Sequence, residues 1–362
     1  MTTVASVLAE LIARVPGDKA AGWDAHGLQI GDPASEVRRL GVCHEVTDNV
    51  ASTAIEASVD LLISYHPLLF KPTTRLVAGA GAGGRAFRLA RAGVGVATFH
   101  TAWDAVRGGT ADALAAALGL GAVTRFGPTD PAPLTKLVTF VPPSAVEAVA
   151  RSLSEAGSGR IGNYSGCSFR SEGIGTFIPG PGAQPVIGQI GDFNEEQEVR
   201  LEVLVPQSLE GRVVAALVAS HPYEEPPFDL QEVRANVGLI GRVGSPDRPI
   251  PLGDLSNGVS QLLGATSRCS GDRDRPVTRV AVLPGSGGSF LEAAAGTGAE
   301  VFITGDLSHH QTRAALDLGM STIDPGHAAT ERPGVIELMS VAGKIMADVI
   351  DLTEDPTPWK EN

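Results

Sequence analysis

Apolar residues recur at Val4, Leu8, Leu11, Ile12 and Val15. That is the spacing of one face of an amphipathic helix, with Thr2 or Thr3 as its cap and Pro16 beyond its end. A turn-rich segment, AGWDAHGLQIGDP, follows. Three runs then read as strands: RRLGVCHEV, VDLLISY and GVGVATF. Two helical stretches separate them, DNVASTAIEASV, with Asp48 or Thr47 as cap, and GGRAFRLARAG. The strands are continuously apolar and do not alternate, which predicts a parallel sheet covered on both faces. From residue 278 the order returns: TRVAVL, the glycine loop PGSGGS, the helix FLEAAAGTG, the strand AEVFITGD, the helix HHQTRAALDLG and the strand MSTID. This matching order predicts two related α/β halves, although any two βαβ runs share some likeness.

A different pattern fills the middle, about 131–236. KLVTFVPPSAVEAVARSLSEAG reads as a strand and a helix, with Ser144 and Glu147 forming a capping box. EVRLEVLVPQSLEGRVVAALVASHPY reads as another strand and a helix starting at Ser208. The glycine-rich GSGRIGNYSGCSFRSEGIGTFIPGPG between them reads as loops and a hairpin. Two βα units, each followed by more β sequence, predict a ferredoxin-like insert. The expected fold is therefore α/β: a discontinuous core, 1–130 and 237–362, interrupted by the insert at 131–236.

The chain has 362 residues and a formal net charge of -13, from 28 Lys+Arg against 41 Asp+Glu. That field repels a phosphate backbone, so no nucleic-acid partner is expected. No uncharged apolar run approaches ~18–20 residues, so no membrane span is expected. The first residues lack a basic region, and Glu10 interrupts their apolar stretch. Cys43, Cys167 and Cys269 are odd in number and form no C-x-x-C pair. These features argue against a secretory signal, a disulfide framework and a thiolate zinc site, and predict a cytoplasmic protein.

The informative chemistry lies at strand ends. His66, His100, His309, His310 and His327 all sit at or just after predicted C-terminal ends of strands. In open parallel sheets that edge binds ligands. Imidazoles and carboxylates gathered there suit zinc, iron or manganese. His327 and Glu331 are spaced i, i+4, one face of a helix. Asp104 follows a strand and precedes a helix, and His66 precedes a proline. Each has a structural reading as well: a dipole partner, an N-cap, a strand-end imidazole bonded to backbone. Glu45 is a further carboxylate on that edge, and Trp23, Asp24, His26 and Gln29 lie in a turn that either lines a pocket or only braces the chain. The loop Pro284–Phe290 has amides able to receive a phosphate, but lacks the Lys-Ser/Thr of a P-loop; a tight turn is its other reading.

Taken together, WDAHGLQIG, SYHPLLF, HTAWDAVRGG and TGDLSHHQTRAALDLGMSTIDPGHAATE resemble the Nif-three-like family of dinuclear-metal proteins, some of them labelled GTP cyclohydrolase type-two homologues. IGNYSGCSF, GIGTF and HPYEEPPFDL resemble that family's optional middle domain, which is similar to CutA and the PII signal proteins. The resemblance implies a toroidal homohexamer, a trimer of dimers, with one or two divalent ions per subunit. It implies His66, Asp104 and Glu331 at one metal, and His327 with bridging Glu331 at the second. Tyr65 stands where the family's first His of a His-His-Pro motif stands, and a phenol with a pKa near 10 is a poorer ligand than imidazole. His309 or His310 would then have to compensate; His310 matches the family pattern and His309 departs from it. The implied activity is metal-dependent hydrolysis of a nucleotide or phosphoester, with His100 or His310 as general acid or base. The alternative is a non-catalytic ring that buffers a metal or reports a ligand.

Overall fold

The computed structural model describes residues 2–129, 134–161, 164–233 and 238–353. The first stretch runs α1 (Val4–Arg14), β1 (Gly27–Ile30), β2 (Leu40–Cys43), α2 (Asp48–Glu56), β3 (Leu61–Ser64), α3 (Gly81–Arg91), β4 (Gly95–Thr98), α4 (Thr101–Ala105), α5 (Thr110–Ala117) and β5 (Gly121–Pro128). The middle stretch contains β6 (Leu134–Val141), α6 (Val146–Glu155), β7 (Phe169–Phe177), β8 (Asn194–Pro206), α7 (Glu210–Ser220) and β9 (Phe228–Val233). The last stretch opens with β10 (Leu239–Ser245), β11 (Ile250–Pro251), α8 (Leu252–Leu263), β12 (Arg268–Ser270), β13 (Pro276–Val277) and β14 (Val280–Ser286). It ends with α9 (Leu291–Ala295), β15 (Val301–Gly305), α10 (His309–Asp317), β16 (Ser321–Asp324), α11 (His327–Ile345) and β17 (Val349–Asp351). Residues of the first and last stretches form one compact unit, and those of the middle stretch form a second.

In the first half of the core the sheet order is β1-β4-β3-β2-β17, parallel except for β1. Its strands are buried on both faces because helices cover both. Leu40, Val42, Leu61 and Ile63 pack with α1 and α11, while Cys43, Leu62 and Val96 pack with α2 and α3. Each such fully buried aliphatic side chain contributes about 1.5–3 kcal/mol. The α1 helix starts where Thr3 and Ser6 exchange side-chain-to-backbone bonds, a capping box. Its buried face is Val4, Val7, Leu8 and Leu11. Ile12, expected on that face, is exposed, because the stripe drifts toward Val7.

The second half repeats the plan. Its sheet order is β12-β16-β15-β14-β10-β5, with β14, β15 and β16 parallel. β12 lies antiparallel beside β16 as β1 lies beside β4. The likeness therefore starts earlier than the strand pattern suggested, with α8 and β12 answering α1 and β1. β5 and β10 flank the middle unit in sequence, yet pair antiparallel. The core sheet thus closes across the insertion point.

Close packing joins the two halves. Trp103 Nε1 donates to the Gly334 carbonyl at 2.9 Å. A Cβ on Gly334 would stand 2.4 Å from Thr110 Cα, so only glycine lets α11 approach α5 this closely. The α11 helix also tolerates Pro333 within its span.

By itself, the middle unit is a four-stranded antiparallel sheet of order β7-β8-β6-β9, with α6 and α7 packed on one face. That is ferredoxin-like topology. Two helix starts differ from expectation. α6 begins at Val146 with Ala145 as an uncapped start, so Ser144 forms no capping box; Glu147 pairs instead with Arg170 of β7. α7 begins at Glu210 after a short 3-10 turn, not at Ser208, whose side chain lies outside the description. The boundaries expected at 130/131 and 236/237, and residues 162–163 of IGNYSGCSF, also fall outside the described residues. Among the described residues, no helix is long and apolar enough to cross a membrane, and no disulfide joins the three cysteines.

Candidate metal centre

The carboxyl ends of the core's parallel strands deliver a cluster of imidazoles and carboxylates. β2 runs into His44, β3 into Tyr65 and His66, and β4 into His100 and the short helix bearing Asp104. β16 runs into α11, whose first turns carry His327 and Glu331. Glu331, only 2% exposed, is the hub. His44 Nε2 lies 2.7 Å and His66 Nε2 3.4 Å from its Oε2; His327 Nε2 lies 3.0 Å from its Oε1. Tyr65, fully buried, donates its hydroxyl to Asp104 Oδ1 at 2.6 Å and reaches Glu331 Oε1 at 3.4 Å. The His100 ring stands 5.4 Å from Tyr65 and 5.1 Å from His66. His44, His66 and Glu331 offer donor atoms all within 4.8 Å of one another. Two imidazoles and a carboxylate are the donor set of a divalent transition-metal site, so these residues fit such an ion.

Electrostatics separates the carboxylates. Burial works to raise the Glu331 carboxyl. The charge of His66 and hydrogen bonds from His327, His44 and His66 outweigh it and hold the group well below the usual range. Burial pushes Asp104 up to about 6, against the lowering by His100 and the Tyr65 hydroxyl. Burial, then the charges of Asp104 and Glu331, hold the proton on Tyr65 far above its ordinary range. Burial works to lower His327, but bonds and charges from Glu331 and Asp306 raise it to about 9.

That last value sets a pH dependence. The folded chain of the metal-free protein holds the His327 proton to about pH 9, the unfolded chain only to about 6.5. This contribution to stability is complete below pH 6.5 and is lost as pH rises through 9. Asp104 acts in a lower window, its effect ending near pH 6. Thermal melts of chelator-treated protein are expected to fall between about pH 6.5 and 9, and to fall less in His327→Gln. Parallel curves for the two proteins would contradict the assignment.

A second ring of groups orients the first. Asp24 accepts from His100 Nδ1 at 3.0 Å and from the amide and hydroxyl of Thr101. Burial works to raise Asp24, and these bonds lower it. Burial lowers His100, and Asp24 with the neighbouring carboxylates raises it. Asp306, itself at φ +57°, meets His327 Nδ1 at 2.7 Å. Gln29 makes two bonds to the Leu69 backbone, fixing the turn after His66. Trp23 and Phe70 are exposed, their rings 5.7 Å apart, with Trp23 6.1 Å from His100.

The glycine loop of β14 is a wall of this site. Gly285 has φ +68°, and a Cβ there would lie 2.6 Å from Glu331 Oε1 and 3.4 Å from His327 Nε2. The Gly285 and Gly287 amides donate to Thr330 and Thr304 hydroxyls. Those two amides are therefore committed to side chains, as the tight-turn reading expects. Gly285→Ala is expected to cost about 1–2 kcal/mol from the left-handed backbone alone, and to displace Glu331. Urea denaturation with and without metal checks both parts.

The structure brings together His66, His100, Asp104, His327, Glu331 and Tyr65, all named from sequence. It does not bring His310 to them: that ring is exposed in the first turn of α10 and, among the described residues, meets only His309, at 5.4 Å. The physical reason is that Ser308 caps α10 and turns its first residues outward. Among the described residues, neither His309 nor His310 contacts Tyr65. Glu45 is exposed, and Asp104 is no N-cap but lies inside α4, whose cap position is His100. His26 packs edge-on against Phe99, away from the cluster. Sequence reasoning missed His44 and Asp306. The signal for His44 was strand parity: Leu40, Val42 and His44 point to the face that α11 covers, while Cys43 and Glu45 point to the other. A cavity of about 660 Å³ lies in the middle unit among Phe140, Ile174, Phe177, Val186, Glu198 and Tyr223. It has no imidazole, so the chemistry is assigned to the core.

A discontinuous α/β core with an inserted ferredoxin-like unit and an imidazole–carboxylate cluster at the strand ends defines a class, and comparison agrees. The chain belongs to the Duf34/NIF3 (NGG1p interacting factor 3) family, whose model matches residues 2–356. A Bacillus subtilis relative named GTP cyclohydrolase 1 type 2 homolog is 39% identical over 318 residues, 87% of this chain and 85% of the relative. A Mycobacterium tuberculosis relative of the same name is 37% identical over 343 residues, 91% of this chain and 88% of the relative. Among solved structures, a Bacillus cereus protein related to NIF3 matches with TM-score 0.65 and 31% identity, covering 100% of this chain and 99% of that one.

Proposed function

We propose that this chain is a divalent-metal-dependent hydrolase acting on a nucleotide or phosphoester. The observation that carries the reading is the buried Glu331 carboxylate facing three imidazoles, His44, His66 and His327, in the unit that bears the family's motifs. Zinc, iron or manganese suits these nitrogen and oxygen donors. When bound, the ion would lower the pKa of a coordinated water toward ~7 and polarise a carbonyl or phosphoryl oxygen. The chain's own residues supply proton handling beside it. Asp24 fixes His100 through Nδ1, leaving Nε2 for substrate. Asp306 holds His327 through Nδ1, while its Nε2 meets Glu331. Each is an imidazole oriented by a carboxylate, suited to general acid–base work. The exposed Trp23–Phe70 pair next to His100 offers a base a stacking surface, and the name of the Bacillus subtilis relative points the same way. The assembly proposed with this activity is a cytoplasmic homohexamer, a trimer of dimers.

The test compares metal-loaded wild type with His66→Ala on a panel of nucleotides and phosphoesters. Turnover present in the first and lost in the second is expected. Equal turnover in both, or none across the panel, would overturn the hydrolase reading. Stoichiometric metal retained without turnover would favour the second reading, a regulatory or metal-buffering ring, which the replacement of an imidazole by Tyr65 also suits.

A further inference from the structure

We infer that this chain holds one divalent ion, on His44, His66 and Glu331, and that the hydrogen-bonded pair Tyr65–Asp104 closes the place of a second. The inference rests on the metal reading above and goes beyond it to ion number and ligand identity. It starts from the division of Glu331. Oε2 faces two imidazoles, His44 at 2.7 Å and His66 at 3.4 Å. Three protein donors there suffice for a site that leaves a position open for water or substrate. Among the described residues, Oε1 faces one imidazole, His327 at 3.0 Å, and the Tyr65 hydroxyl at 3.4 Å. That hydroxyl gives its proton to Asp104 at 2.6 Å. A second ion on Oε1 would have to break that hydrogen bond at a fully buried ring.

Tyr65 cannot swing aside to make room. Its ring is fully buried and stands 5.4, 5.0 and 5.4 Å from His44, His66 and His100. An imidazole at 65 would offer a ring nitrogen in place of the hydroxyl that now bonds Asp104. Asp104 Oδ1 is taken up by that hydroxyl. His44, from the neighbouring strand β2, takes the second imidazole position at Glu331 instead. Tyr at 65 and His at 44 are thus complementary features of one site.

The measurement is metal content per chain in tag-free protein, saturated with zinc or manganese, dialysed and analysed by mass spectrometry. One ion per chain is expected. Tyr65→Phe is expected to leave count and affinity unchanged, because the phenol is not a ligand. Tyr65→His is expected to raise the count toward two, and His44→Gln to weaken retention at least tenfold. Thermal melts of each variant separate loss of ligand from loss of fold. Two ions in the wild type, a count lowered by Tyr65→Phe, or unchanged affinity in folded His44→Gln would overturn the inference and leave the hydrolase reading standing. Retention of no ion by the wild type would overturn both.

Discussion

Glu331→Gln is expected to abolish stoichiometric metal retention, with affinity falling by about 100-fold or more. Mutating mere outer partners of metal ligands already costs about 10–100-fold, and Glu331 is the group on which the cluster converges. Both of its oxygens are engaged, and the residue is almost wholly buried, so no solvent or neighbouring carboxylate replaces it. Glutamine keeps the shape but presents one neutral acceptor and one donor, the latter aimed at imidazoles. Competition with a chromogenic chelator measures the affinity directly; a value within twofold of wild type would refute the assignment. The variant is also expected to lose stability. The wild-type carboxyl titrates well below its ordinary range, so its contribution is present above about pH 4.5 and lost only as pH falls through the folded value. Wild type and variant should therefore differ at neutral pH and converge in acid.

Arg242→Met is expected to lower folding stability by about 1–3 kcal/mol, the cost of leaving buried hydrogen-bond acceptors unsatisfied. Arg242 is fully buried. Its Nε pairs with Asp112, its Nη1 donates to the Leu239 and Gly241 carbonyls at 2.7 and 3.0 Å, and its Nη2 to Val106 and Asp104 carbonyls at 3.1 and 3.4 Å. Methionine fills part of the volume and satisfies none of those acceptors. The clamp also holds the backbone of the helix that carries Asp104, so the damage should reach the cluster. Urea denaturation gives the stability, and a loss under about 1 kcal/mol would show that water replaces the guanidinium.

Much of the core was legible because apolar runs fix buried strands locally. RRLGVCHEV, VDLLISY and GVGVATF became β2, β3 and β4, and the helices between them followed their stripes. Strand ends were legible too, so His66, His100, Asp104, His327 and Glu331 were named before any contact was known. Caps were less so. Thr47 does cap α2, but Ser144 does not cap α6, since a Ser-x-x-Glu pattern states only that a box is available. The β17–β2 pairing joins residues about 300 positions apart; no local pattern encodes it.

The sequence by itself determined the alternation of strand and helix, the insert's βαββαβ plan and the arrival of imidazoles and carboxylates at one edge of a sheet. These follow from side-chain period and turn chemistry, which act over a few residues. Only the tertiary structure decided which of those groups meet. His44 joins the cluster, and Glu45 does not, because α11 covers one face of β2 and not the other. His310 is left out because its helix cap turns it to solvent. Tyr65 bonds to Asp104 because two strands and a short helix converge on one buried point. Those outcomes depend on packing between elements distant in sequence, where close-range sterics and desolvation select partners that no spacing along the chain specifies.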